Sequence, residues 1–354
     1  MKVGLPRLGS WRRSLALAAL LLVIAFAALE LYPRVRQPWP YRADVYDEEG
    51  NLLTARDLED PLLGYVPRPD RRLRMRGYYE DRPVLDFAYS IDENGLRVSS
   101  PDPRIESDRC ILFFGGSTPF GEGVPDDETV PYRIATAFDG TYKVYNFGYF
   151  YYGGHQMLAE IEANRLENIL ECEPAYAIYF GYVVHVQRAS YSGVPYSERI
   201  PQYVLNEQGV PVLDHRSDVL MIFMDIVRSS RVLRKLDRIA VNALESGGME
   251  REDVDRYIEI VDKARRILES RYPDIEFHII FWNEAGEEPS AHIIRNFQDR
   301  GIPVYLISDI FPNYDYSTMK YSLGPEYMVN DVTWHINGWG YERIAEYIAA
   351  KIVN

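Results

Sequence analysis

The sequence predicts an α/β fold with a mostly parallel sheet covered by helices on both faces. Three observations point to it. From Arg109 onward, short apolar runs alternate with amphipathic stretches of helical period. The apolar runs are continuous rather than alternating, as strands buried on both faces require. Glycines close three successive runs, at Gly115–Gly116, Gly148 and Gly181, where tight strand-to-helix turns belong.

The predicted strands are CILFF (110–114), KVYNFG (143–148), AYAIYFGYVV (175–184), IEFHIIFW (275–282) and PVYLI (303–307). Between them HQMLAEIEANRLENIL (155–170) sets Met157, Leu158, Ile161, Leu166 and Leu170 near one face of a helix. REDVDRYIEIVDKARRILESRY (251–272) does the same with Val254, Ile258, Ile260, Val261, Ala264 and Ile267. YERIAEYIAAKI (341–352) closes the chain as a further helix. Residues 188–250 break the rhythm with a hairpin, YVLNEQGVPVL (203–213), and a helical stretch, MIFMDIVRSSRVLRKLDRI (221–239). They read as an insertion over one edge of the sheet, a lid or substrate wall.

Residues 33–105 read as an extracytoplasmic stalk and a β-containing lead-in, with turns at Glu49-Gly50-Asn51 and Asp92-Glu93-Asn94-Gly95. Asn94-Gly95 supplies the positive φ that a tight hairpin between FAYSI and LRV needs. Upstream, Ser14–Tyr32 is an apolar run interrupted only by Glu30. As a helix it spans about 28 Å, close to a bilayer core. Lys2, Arg7, Arg12 and Arg13 precede it, so residues 1–13 are expected to be cytoplasmic and the rest exported. The run reads as a transmembrane signal anchor at 14–32. A cleaved signal peptide is the alternative, because Ala25-Phe26-Ala27 fits a cleavage site.

The chain of 354 residues is 47% hydrophobic and 26% charged, proportions that argue against a disordered protein. Its formal net charge of −14 argues against a nucleic-acid partner. Twenty-eight tyrosines suit a half-buried core or a sugar-binding surface. Cys110 and Cys172 form no disulfide framework and are expected as buried free thiols, with a bridge between neighbouring strands as the alternative. No Walker loop or GxGxxG follows a strand, and the six His lack metal-ligand spacing, so no cofactor or metal is expected. His278, inside IEFHIIFW, reads as a core or edge residue.

The chemistry sits at the strand ends. GGSTPFGEGV (115–124) puts Ser117 directly after the first strand, at the carboxyl end of the sheet, where open α/β folds bind ligands. At the other end of the chain, DVTWHINGWG (331–340) puts His335 before the last helix, on the same predicted edge. His is the usual base for a Ser nucleophile.

These blocks resemble those of the SGNH (GDSL-like) hydrolases over roughly residues 85–354. ILFFGGSTPFGEGV resembles the first block, NFGYFYYGG the second and HINGWGYERIAEYI the fifth. YSIDENGLR resembles the segment preceding the first block in membrane-anchored members. The resemblance implies a flavodoxin-like three-layer α/β/α domain over 106–354. It further implies Ser117 as nucleophile, His335 as base, and the backbone N–H groups of Ser117, Gly148 and Gly181 as an oxyanion hole. Asn146, His185, Trp334 and Asn337 are expected to wall the substrate.

The sequence departs from the pattern at three points. Gly116 stands where the family commonly has Asp. The third block, normally Gly-x-Asn, reads Gly181-Tyr182-Val183, and His185 or Gln187 are the substitutes on offer. The Asp expected two or three residues before the base is absent from Val332 and Thr333. Asp331, four residues before, is the candidate orienting carboxylate. The expected activity is that of a membrane-anchored serine esterase or O-acyltransferase, with an acylated glycan or lipid of the cell envelope as substrate. The competing expectation is a glycan-binding or assembly protein that keeps the fold but not the oxyanion hole.

Overall fold

A computed structural model describes residues 41–53, 55–79, 81–102, 104–189, 200–214, 249–283, 288–311 and 335–353. The predicted anchor at 14–32, the helical stretch at 221–239, Asp331 and Trp334 lie outside these residues. Among the described residues no helix is long and apolar enough to cross a membrane.

Five parallel strands form the central sheet: β6 (Arg109–Gly115), β7 (Lys143–Asn146), β8 (Glu173–Tyr182), β11 (Glu276–Trp282) and β12 (Val304–Leu306). Their spatial order is β7-β6-β8-β11-β12. Numbered within the sheet this is 2-1-3-4-5, the flavodoxin-like order, whose direction of winding reverses between β6 and β8. All five strands coincide with predicted apolar runs.

Alternate side chains of each strand serve opposite faces. Cys110, Leu112 and Phe114 of β6 join Ala177, Tyr179, Phe277, Ile279 and Phe281 on one face. Helices α3 (Gly154–Glu162), α4 (Arg165–Ile169), α6 (Arg251–Arg271) and α7 (Ser290–Asp299) cover that face. Ile111 and Phe113 join Ile178, Phe180 and Ile280 on the other. That face is covered by α2 (Val130–Ala137), α8 (Ile307–Ile310) and α9 (Gly338–Lys351). The molecule therefore has the expected three-layer α/β/α architecture.

Two expectations need correction. The stretch 155–170 forms two helices rather than one, broken where Asn164 adopts a left-handed φ of 54°. Cys110 and Cys172 form a disulfide, with Cα atoms 5.8 Å apart, rather than free thiols. Cys110 begins β6 and Cys172 immediately precedes β8, so pairing of the two strands brings the thiols together.

The lead-in forms its own antiparallel sheet, in which β4 (Arg71–Tyr79) pairs with both β1 (Tyr41–Tyr46) and β5 (Arg82–Ile91). Short strands β2 (Glu59–Asp60) and β3 (Gly64–Tyr65) pair beside it. Leu73, Met75, Leu85, Phe87, Tyr89 and Ile91 alternate inward and pack on Phe120, Tyr149, Phe150 and Tyr152. Those four aromatics lie in the segments that follow β6 and β7, so the lead-in sheet backs the carboxyl edge of the central sheet. The expected hairpin at 203–213 is present as β9 (Tyr203–Leu205) paired with β10 (Pro211–Leu213). The turn at 92–95 joins only a single bridge, Ile91 to Arg97, because β4 is the main partner of β5.

Candidate functional site

Strand β6 ends in Gly115, whose φ of +138° is open to glycine alone and whose Cβ would meet the Phe180 carbonyl at 2.9 Å. The chain turns there and Ser117 becomes the first residue of α1 (Ser117–Phe120), half-buried at the carboxyl end of the sheet. The turn closes on itself: the N–H groups of Gly121 and Glu122 donate to the Ser117 carbonyl at 2.8 and 3.0 Å.

His335 meets this turn from the other end of the chain. Its Nε2 lies 3.0 Å from Oε2 of Glu122, which is buried. Its Nδ1 has no hydrogen-bond partner among the described residues. Glu122 thus connects His335 to the turn that starts at Ser117, and it is a site residue that motif reading passed over. The signal was present, since an acid stands five residues after the Ser in the same block.

Arg97 braces the turn from behind. Its side chain is fully buried, and it donates to the carbonyls of Phe120 (2.8 Å), Gly121 (2.6 Å) and Val124 (2.7 Å) and to Asp126 (3.0 Å). The ring of Phe120 lies 4.9 Å from its guanidinium carbon. Tyr341 of α9 adds a bond to the Glu122 carbonyl at 3.3 Å.

Of the predicted substrate walls, Asn146, His185 and Asn337 lie among the described residues. Asn146 is buried; its Nδ2 donates to the Pro119 carbonyl at 2.8 Å and its Oδ1 accepts the Gly148 N–H at 3.1 Å. It ties β7 to α1 rather than facing substrate, and the N–H expected to serve the oxyanion at Gly148 points to Asn146. Gly181 lies within β8, where a Cβ would meet the Phe281 ring at 2.8 Å, so it marks close packing between strand and ring. Asn337 caps α9, accepting from the N–H groups of Trp339 and Gly340 at 3.1 Å each. Trp339 beside it is 66% exposed.

His185 sits on α5 (Val184–Ala189), the helix that follows β8, and is buried. Its Nδ1 is 2.8 Å from the Tyr179 hydroxyl. Burial, and then the charge of Arg188, hold its pKa well below the usual imidazole range, so the ring is neutral. Arg188, three residues on, is half-buried and donates from Nη1 to the Tyr152 carbonyl at 3.0 Å. Its guanidinium also lies over the Tyr151 ring, 5.4 Å from the centroid. A Cβ on Gly116 would meet the Tyr152 carbonyl at 3.0 Å, Arg188 Nη1 at 3.1 Å and His185 Nε2 at 3.4 Å. A side chain at position 116 is therefore crowded by the Tyr152 carbonyl and by Arg188 and His185 of α5. Among the described residues no group of three or more His, Cys, Asp and Glu is placed to hold a metal. His278 is buried in β11, with Nε2 3.4 Å from Glu276, in keeping with a core or edge position.

No protein-family model matches the chain, and no curated protein matches it. Solved structures similar to it include lipolytic proteins, carbohydrate esterases and an acetyltransferase domain. One is a member of the lipolytic G-D-S-L family from Veillonella parvula, 13% identical, with a TM-score of 0.36 over 70% of this chain and 99% of that one. Another is the periplasmic domain of a lipopolysaccharide acetyltransferase from Salmonella ser. Paratyphi A, 11% identical, with a TM-score of 0.37 over 71% and 85%. A third is an acetyl xylan esterase from the rumen bacterium Butyrivibrio proteoclasticus, 12% identical, with a TM-score of 0.38 over 82% and 73%. At such scores the likeness is loose, and the fold assignment rests on the strand order itself.

Proposed function

We propose that the chain is a serine esterase or O-acyltransferase in which Ser117 is the nucleophile and His335 the base. The observation that carries this reading is the contact of His335 with Glu122, on the turn that begins at Ser117. With Nε2–H donated to the Glu122 carboxylate, the lone pair lies on Nδ1, the nitrogen without a described partner. Nδ1 takes the Ser117 hydroxyl proton as Oγ bonds to the acyl carbon. It returns that proton to the leaving alcohol oxygen as the carbon–oxygen ester bond breaks. Water or an acceptor hydroxyl then attacks the acyl-enzyme by the same steps. Asp331, four residues before His335 in the sequence, is the other candidate orienting carboxylate.

We further propose that the chain is anchored through 14–32 and acts outside the cytoplasm. The apolar run with basic residues before it supports the anchor. The Cys110–Cys172 disulfide supports an oxidising compartment. Exposed Trp339, four residues after the base, is a flat face of the kind that stacks on sugar rings and supports an acylated glycan as substrate. The test is release of acetate from O-acetylated polysaccharide and from p-nitrophenyl acetate by the full chain in detergent. Wild type should turn over at least one of these, and Ser117→Ala and His335→Ala should turn over neither. Full activity in Ser117→Ala would overturn the mechanism. The engagement of the Gly148 N–H by Asn146 favours a second reading, a glycan-binding protein with an impaired oxyanion hole. Glycan binding without turnover by wild type is its signature.

A further inference from the structure

We propose that Arg188 supplies the oxyanion donor that Val183 and Gly148 do not, an inference that rests on the esterase or acyltransferase reading. Three observations converge on it. First, the hole is short of donors: Val183 is a buried apolar residue, and the Gly148 N–H is bonded to Asn146. The Ser117 N–H, at the first position of its helix, has no helical partner and is one donor; a second is needed.

Second, Arg188 stands at the right place. It lies on the helix that follows β8, the stretch of chain from which the third-block side chain would come. Its Nη1 is 3.1 Å from the position of a Cβ on Gly116, the residue before the nucleophile. Third, its guanidinium is underused. Among the described residues it makes one hydrogen bond, to the Tyr152 carbonyl, and no ion pair. A guanidinium carries five N–H donors, so several remain. The side chain is half-buried, held between the Tyr151 ring and the Tyr152 carbonyl, with neutral His185 on the same helix. A guanidinium held there with no carboxylate bonded to it, Glu122 acting on it only at a distance, is preorganised for a negative charge that arrives during the reaction.

In the step concerned, Ser117 Oγ bonds to the acyl carbon and the carbonyl π pair moves onto oxygen. The resulting oxyanion accepts hydrogen bonds from Arg188 and the Ser117 N–H. It collapses as the alcohol leaves, restoring the carbonyl.

The test compares full-length wild type, Arg188→Met and Arg188→Lys on p-nitrophenyl acetate, a neutral substrate that removes any contribution from substrate charge. The rate of phosphonylation at Ser117 by a neutral fluorophosphonate is measured alongside. Arg188→Met should lose about 10²–10³ in kcat with KM little changed. It should be phosphonylated more slowly by a similar factor, while unfolding at the wild-type temperature. Arg188→Lys, which keeps the charge and the stem, should recover part of both rates. Wild-type rates in Arg188→Met would overturn the proposal and leave the esterase reading intact. So would a loss confined to anionic substrates, since the guanidinium would then be reading substrate charge. Absence of both turnover and labelling in wild type would instead bring down the esterase reading, and this proposal with it.

Discussion

His335 offers two ring nitrogens, and Glu122 takes one of them at 3.0 Å. If Glu122 orients the base, Glu122→Gln should cut acyl turnover by up to about 10⁴-fold, the scale of damage to an orienting carboxylate. Asp331→Asn should cost much less, and kcat of the two variants on one ester checks the order. A second prediction concerns Glu160, which is buried 3.0 Å from Arg165 and lines a cavity of about 10 Å³, the size of a single water. Burial raises its pKa from 4.5 to about 8 in spite of Arg165. The folded chain therefore keeps a proton that the unfolded chain releases above pH 4.5. The stability this gives is complete below pH 4.5 and is lost as pH rises through about 8. Glu160→Gln has no proton to lose, so its Tm should vary less than wild type between pH 5 and 9. The buried His155 ring works on the acid side: burial, and then Arg188, lower its pKa to about 3. Its contribution is complete above pH 6.5 and falls as pH drops toward 3.

Among the elements, the turn from Ser117 to Asp126 depends on one residue of the lead-in. Arg97 bonds three of its carbonyls and Asp126 from a fully buried position. Arg97→Leu leaves those acceptors unpaired and should destabilise the fold by about 3–5 kcal/mol, measured by denaturant unfolding. Because Glu122 sits on that turn, acyl turnover should fall as well. The same turn marks what the sequence made legible. Strands β6, β7, β8, β11 and β12 were readable because burial on both faces makes each a continuous apolar run. Strand β4 was not, because Arg71, Arg72, Arg74 and Arg76 dominate RRLRMRGYY and hide the inward alternation of Leu73 and Met75. Ser117 and His335 were visible from local motifs. Glu122 stands in the same block as Ser117, but only the fold shows its contact with His335, and only the fold brings Arg188 to Tyr152 and Gly116. Asn146, expected as a wall of the substrate site, has its side chain engaged within the fold. Its hydrogen bonds to Pro119 and Gly148 point it inward.

For the whole molecule, the Cys110–Cys172 bridge closes a loop across a sequence separation of 62 that contains Ser117 and the end of β7. In the chain-entropy account such a closure stabilises by about 4 kcal/mol. Reduction, or Cys110→Ala with Cys172→Ala, should lower the unfolding free energy by up to that amount and leave the strand pairing of β6 with β8 in place. The central claim concerns Ser117, and it is tested most directly by intact-protein mass spectrometry of the full chain after treatment with a serine-reactive fluorophosphonate. The account predicts one adduct on wild type and none on Ser117→Ala. An unmodified wild type, or an adduct that persists in Ser117→Ala, would contradict it.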